Sequence, residues 1–414
     1  MNTFFQELMR KATRLTRAGR LNQATEAIQR ALGGLRAPPR PPTAATPHPT
    51  ESSANRGADH AAPHDVLDGC VFEADAPAAP KAPDGVTPRA AQPLAPAAAP
   101  GAAPAAATAP TPAATPAATP RAAPGTFTQG SHTHAALSRD YKLYAPPGAA
   151  GRTLPLVVML HGCTQNPDDF AAGTGMNERA AGQGFFVLYP AQSQAANPQR
   201  CWNWFKHNHQ RRGSGEPALL ASMTQAVMAG HGIDPRRVYI AGLSAGGAMA
   251  AVVADAYPEI FAAVGVHSGL PAGAARSVAE AMSVMRTGAS GAGHHVASSV
   301  PTIAFHGDQD RTVHPRNGEQ VVAAVLTGVP GVAQGEARPA APPRVEQGAS
   351  VRGQRYTRST HLDDDGAVLA EHWLVHGAGH AWSGGLTEGS YTDPAGPDAT
   401  REMLRFFLDH PKVA

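Results

Sequence analysis

Cysteine, net charge and long apolar runs are all scarce in this 414-residue chain. Three cysteines, Cys70, Cys163 and Cys201, are too few for a disulfide scaffold and lack the spacing of a zinc site. A formal net charge of +2 gives no whole-molecule case for nucleic acid or an anionic membrane as partner. No segment has the apolar length of a bilayer span, and Met1 to Glu7 carry an early acid where a secretory leader has its apolar run, so the expected location is cytoplasmic. Gly and Pro, by contrast, are abundant. At 43 and 39 residues they exceed the need of one compact domain, and with 42% hydrophobic residues the chain should combine a real core with unfolded linker.

Residues 1–36 read as two short helices, with Phe4, Phe5, Leu8, Met9, Ala12 and Leu15 on one face of the first and Leu21, Ala24, Ala27, Ile28, Ala31 and Leu32 on one face of the second. Seven basic residues stand there against two acidic ones. Such a pair suits a helical hairpin that associates with itself or another protein, or a basic amphipathic element that docks on a polymer or lipid-like surface. Residues 37–125 drift into Ala, Pro and Thr, a composition that cannot bury enough apolar surface to offset ordering entropy, so a disordered linker is expected. Val66 to Phe72 form its one apolar island.

The folded domain is expected over residues 126–414. Arg139 to Tyr144 alternate like a half-buried strand. Continuous apolar runs follow at 156–160, 185–189, 238–241, 262–266 and 302–305, separated by helix-like stretches, notably 216–229 and 246–257. Runs this short and this apolar, alternating with helices, imply an α/β fold with a mainly parallel sheet covered on both faces. A late strand at 371–375 and a helix at 397–410 complete it.

Gly242-Leu243-Ser244-Ala245-Gly246 directly follows the third of those runs. A serine between glycines on a sharp strand-to-helix turn is held with its hydroxyl exposed, which makes Ser244 the candidate nucleophile. Serine needs a base and an acid that orients the base, supplied in such sheets by later loops in the order acid, then His. His306-Gly307-Asp308-Gln309-Asp310 offers two carboxylates. Asp310 lies further along the loop, where it can turn back over the sheet edge, while Asp308 is placed to fix the turn. His376-Gly377-Ala378-Gly379-His380 offers two imidazoles, of which His380 has the reach and His376 the place at the strand end. His207 and His209 are spaced like ligands on a strand but lack a nearby acid or third histidine, so no metal is expected.

An oxyanion needs backbone donors. The N–H of Ala245 is one candidate, and the N–H of Cys163, in His161-Gly162-Cys163-Thr164-Gln165, is the other. Cys201-Trp202-Asn203-Trp204-Phe205 suits either packing beneath a loop or an aromatic wall for an acyl chain. Cys201 could bridge to Cys163 or, in a reducing cytosol, both could stay free thiols.

Together with Ile233 to Tyr239 and Gly379-His380-Ala381-Trp382, these segments resemble the polyhydroxybutyrate depolymerase family of esterases, which includes feruloyl and acetylxylan esterases. The resemblance covers roughly 127–410. It implies an α/β-hydrolase domain, a triad on Ser244, Asp310 and His380, an acyl-enzyme intermediate, no cofactor, and Cys163 as an oxyanion donor. Trp202, Trp204 and Trp382 are then the expected substrate-binding aromatics. The implied substrate is a polyester or small ester. A feruloyl or acetylxylan esterase is one alternative, and an adaptor carried by residues 1–36 is another.

Overall fold

The computed structural model describes residues 125–289, 298–327 and 342–412. The expected helical pair at 1–36 and nearly all of the 37–125 linker lie outside them.

The strands are Thr126–His134 (β1), Leu137–Ala145 (β2), Leu154–Leu160 (β3), Phe186–Pro190 (β4), Ile233–Leu243 (β5), Ala263–His267 (β6), Thr302–Gly307 (β7), Arg344–Ala349 (β8), Arg355–Leu362 (β9) and Val368–Val375 (β10). They make one sheet in the order β1-β2-β4-β3-β5-β6-β7-β10-β9-β8. From β4 to β10 every neighbouring pair is parallel, and antiparallel strands extend the sheet at both ends. The central strands are buried along their whole length because both faces are covered, which is why they read as unbroken apolar runs.

The helices are Pro167–Thr174 (α1), Met176–Gln183 (α2), Gly215–Gly230 (α3), Ala245–Ala256 (α4), Val278–Thr287 (α5), Arg316–Thr327 (α6) and Ala399–Asp409 (α7). The pleat of β3 divides the core between the two faces. Leu156, Val158 and Leu160 join Met249 and Val253 of α4 on one side, while Val157 and Met159 join Met403 and Phe407 of α7 on the other. Asn166 caps α1 by accepting from the N–H groups of Asp168 and Asp169, and Asp398 caps α7 by accepting from that of Arg401.

The chain passes from β3 to β4 on one side and then to β5 on the other. Such a reversal opens a crevice at the carboxyl ends of β3 and β5, where ligands of open α/β sheets bind. The loop beginning at His161 and the turn at Ser244 are the two walls of that crevice.

Candidate active site

Ser244 follows β5 directly and caps α4, with φ 57° and ψ −120°. This left-handed backbone is strained for a serine and persists because its surroundings over-determine it. Its N–H donates to His267 O at 2.9 Å, and its carbonyl accepts from Ala248 N at 2.9 Å. The flanking glycines are a matter of space. A Cβ on Gly242 would stand 2.4 Å from the carbonyl carbon of Gly246, and one on Gly246 would stand 2.1 Å from Leu160 O.

The loops after β7 and β10 cross at Gly307, where a Cβ would lie 2.3 Å from Ala378 O. Two imidazole–carboxylate pairs sit at that crossing. His380 Nδ1 donates to Asp310 Oδ2 at 2.7 Å, and the second oxygen of Asp310 accepts from Thr312 N and Val313 N at 2.9 and 2.8 Å. His376 Nδ1 pairs with Asp308 Oδ2 at 3.0 Å, while Asp308 Oδ1 accepts from Gly377 N at 2.7 Å. His380 of the inner pair lines the cavity that Ser244 also lines, with the Asp310 side chain enclosed, and the outer pair clamps the base of the loop carrying His380. Burial pushes the Asp310 carboxyl up, but the neighbouring His306 and His380 imidazoles outweigh it and hold the group well below the usual carboxylate range. Among the described residues no hydrogen bond joins Ser244 Oγ to His380.

The loop after β3 is fastened at each neighbour of Cys163. Gly162 N donates to Gln165 Oε1 at 2.9 Å and Thr164 N to Gln199 O at 2.6 Å, which leaves the Cys163 N–H between them without an acceptor among the described residues. The Ala245 N–H opens α4, so the helix dipole adds to it. Cys163 and Cys201 are joined by a disulfide across a separation of 38 residues, which decides between the bridged and free-thiol alternatives. Beneath this loop His161 is buried and accepts from Gln192 N at 3.1 Å through Nε2; burial lowers its pKa to about 4, so it stays neutral. Fully buried Glu216 accepts from Asn203 N at 2.7 Å, Asn203 Nδ2 at 2.8 Å and Arg139 Nη2 at 3.1 Å, tying the 201–205 loop to α3 and β2.

The aromatic expectations divide. Trp204 lines the cavity with Phe205, Leu270, Met285 and Val313. Trp202 does not. It is fully buried under the 161–165 loop, donating to His161 O at 3.1 Å, because an indole without water must find an acceptor. Trp382 is likewise packed away, its Nε1 donating to Thr400 Oγ1 at 3.0 Å and its ring stacked on His267. His207 and His209 fall in a short 3-10 turn, not a strand, and His209 has an acidic neighbour after all: Nδ1 lies 3.5 Å from Glu216 Oε2.

Four contributors escaped sequence reasoning. Tyr391 lines the cavity and shares a 3.2 Å hydrogen bond with Thr164; nothing in Ser390-Tyr391-Thr392 signals it. Met285 brings α5 to the cavity wall. His267, at the end of β6, accepts from Ser383 N at 2.9 Å, and burial lowers its pKa to about 3. His306, on β7, is the fourth. The last two end apolar runs, and a polar residue there was the only available hint.

A family model described as "Esterase PHB depolymerase" matches residues 139–347. Poly(3-hydroxyalkanoate) depolymerase C of Paucimonas lemoignei is 32% identical over 246 residues, covering 56% of this chain and 56% of that protein. Poly(3-hydroxybutyrate) depolymerase of Ralstonia pickettii is 28% identical over 247 residues, 56% of this chain and 48% of that one. Feruloyl esterase B of Thermothelomyces thermophilus is 34% identical over 122 residues, 29% and 41% of the two chains. The chain thus spans about half the length of the relatives it matches.

Proposed function

Because this chain belongs to the PHB depolymerase family of esterases, we propose that it is a serine esterase acting on poly(3-hydroxybutyrate)-like polyesters or their oligomers. The observation that carries this reading is the His380–Asp310 hydrogen bond at the wall of the cavity that Ser244 also lines. Ser244 Oγ attacks the ester carbonyl carbon while His380 takes the hydroxyl proton. The oxyanion forms between the N–H groups of Cys163 and Ala245. His380 then returns the proton to the departing alkoxide, leaving an acyl-enzyme and a free alcohol. Water, deprotonated by the same imidazole, releases the acid and restores Ser244.

The mainly apolar lining, with Trp204, Phe205, Leu270 and Val313, suits an aliphatic hydroxyacyl unit. Ser244→Ala is expected to reduce hydrolysis of p-nitrophenyl butyrate and of hydroxybutyrate oligomers on the order of a million-fold, with circular dichroism unchanged. Full activity in that variant would falsify the assignment. Methyl ferulate and acetylated xylan, assayed in parallel, decide the carbohydrate-ester alternative.

The division at 36 and 125 rests on composition and periodicity, and the docking of residues 1–36 on a storage-granule surface rests on their basic amphipathic pattern together with the family the chain belongs to. Limited proteolysis tests the first, and granule co-sedimentation of a chain lacking 1–36 tests the second, with undiminished binding removing it. Among the described residues no helix is long and apolar enough to cross a membrane. A cytoplasmic location would require the Cys163–Cys201 bond to withstand a reducing pool, and thiol labelling of the protein from its native cell tests that.

A further inference from the structure

His306 is the penultimate residue of β7, four residues before Asp310, and its side chain is wholly enclosed. Its Nε2 lies 2.8 Å from Val313 O and 3.4 Å from Asp310 Oδ2. A carbonyl oxygen only accepts, so Nε2 must carry the proton and Nδ1 must be bare. Nδ1 is indeed a buried nitrogen with no partner, covered by the backbone of Gly318 in α6, where a Cβ would stand 2.8 Å away. The same proton therefore sits between a peptide carbonyl and the triad acid. Val313 is gripped at both ends, its N–H by Asp310 at 2.8 Å and its C=O by His306.

We propose that His306 is a positioning residue for the esterase reaction: its Nε2–H closes the 310–313 turn and partly occupies Asp310 Oδ2, fixing that oxygen's direction and tempering its basicity toward His380. The inference rests on the proposed roles of Ser244, Asp310 and His380. His306 does not line the cavity, so its effect reaches substrate only through the acid and the base. The other titratable groups facing it are His372 on β10 and His267 on β6, whose pKa values burial lowers to about 4 and about 3. Both are neutral where the enzyme would work, and Gly318 presents only backbone, so the charge nearest His306 is the Asp310 carboxylate.

The test compares the full chain with His306→Gln, whose amide keeps a donor in reach of Asp310 and Val313, and His306→Phe, which keeps the bulk and loses the donor. With p-nitrophenyl butyrate, His306→Phe should lose up to about 100-fold in kcat, the scale of a misplaced catalytic group, with KM little changed. Its Asp310, relieved of one donor, becomes more basic, so the acid limb of kcat/KM should move to higher pH. His306→Gln should restore most of kcat and the original limb. A His306→Phe profile superimposable on wild type, or a Gln variant as impaired as Phe, overturns the proposal. Should His306→Phe fail to fold, nitrogen-15 histidine spectra of the wild-type chain decide: His306 must be protonated at Nε2 and bare at Nδ1, and the opposite tautomer overturns it. A wild-type chain that hydrolyses no ester, or a Ser244→Ala variant that still does, would instead remove the functional reading beneath it.

Discussion

The carbonyl oxygen of Leu160 lies where Gly246 can have no side chain, 2.1 Å from an ideal Cβ position. This contact presses the start of α4 against the end of β3, bringing the Ser244 turn and the oxyanion loop into one crevice. Gly246→Ala must therefore separate them or fail to fold. Overpacking of this kind costs about 1–3 kcal/mol when neighbours can shift, and here the obstacles are backbone atoms of Leu160 and His161. The expected result is a lower urea midpoint and esterase activity lost out of proportion to the folded fraction; an active variant of wild-type stability would contradict it.

The disulfide makes a second claim on that loop. Cys163 and Cys201 enclose a separation of 38 residues, for which chain entropy gives about 4 kcal/mol of stabilisation. A chain carrying both Cys163→Ser and Cys201→Ser should unfold at lower denaturant concentration by roughly that amount. Because residue 163 keeps its N–H, the proposed oxyanion donor survives in kind but loses its tether, so kcat should fall more than KM rises. Dithiothreitol should reproduce the kinetic loss in the wild type and leave the double variant unaffected.

Stability should depend on pH with a defined sign. His161 and His267 are buried neutral, with pKa values lowered to about 4 and about 3, against about 6.5 in an unfolded chain. Below about 6.5 the unfolded state binds the extra protons, so stability is complete above that pH and is lost as pH falls toward 4 and then 3. Asp310, held low in the folded state, adds a loss of the same sign that begins nearer pH 4. Urea midpoints measured from pH 8 to 4 should be flat to about 6.5 and then decline; a midpoint constant to pH 5 would refute the neutral burial of these rings.

Legibility in the sequence followed the strength of the hydrophobic pattern. The parallel strands announced themselves because burial on both faces leaves a run such as Leu156-Val157-Val158-Met159-Leu160 with no polar interruption. The antiparallel extensions did not. β8 holds Val345 as its one large apolar residue, and that side chain is 57% exposed, so no face of the strand carries a signal. Ser244, Asp310 and His380 could be singled out because each follows the carboxyl end of a parallel strand, where the loops of such a sheet meet, and because the family resemblance points to the same three residues. His306 and Asp308 stand within four residues of Asp310, yet their separate tasks depend on distances near 3 Å that spacing cannot encode. Trp202 and Trp382 were read as cavity aromatics because composition reports an indole but not which side of a loop it faces.

Neighbouring indoles provide the sharpest contrast between packing and specificity. Trp202 is sealed under the oxyanion loop and bonded to His161 O, whereas Trp204 faces the cavity beside Phe205. Trp202→Ala should behave as a core truncation, costing about 3–5 kcal/mol and lowering activity equally for every ester as the loop loosens. Trp204→Ala should instead remove surface that a longer acyl chain touches. Its preference for p-nitrophenyl butyrate over the acetate should drop about tenfold, the low end of what apolar pocket contacts discriminate. If the two variants changed chain-length preference alike, Trp204 would have no special hold on the acyl group, and the apolar wall would have to be credited to Leu270, Met285 and Val313.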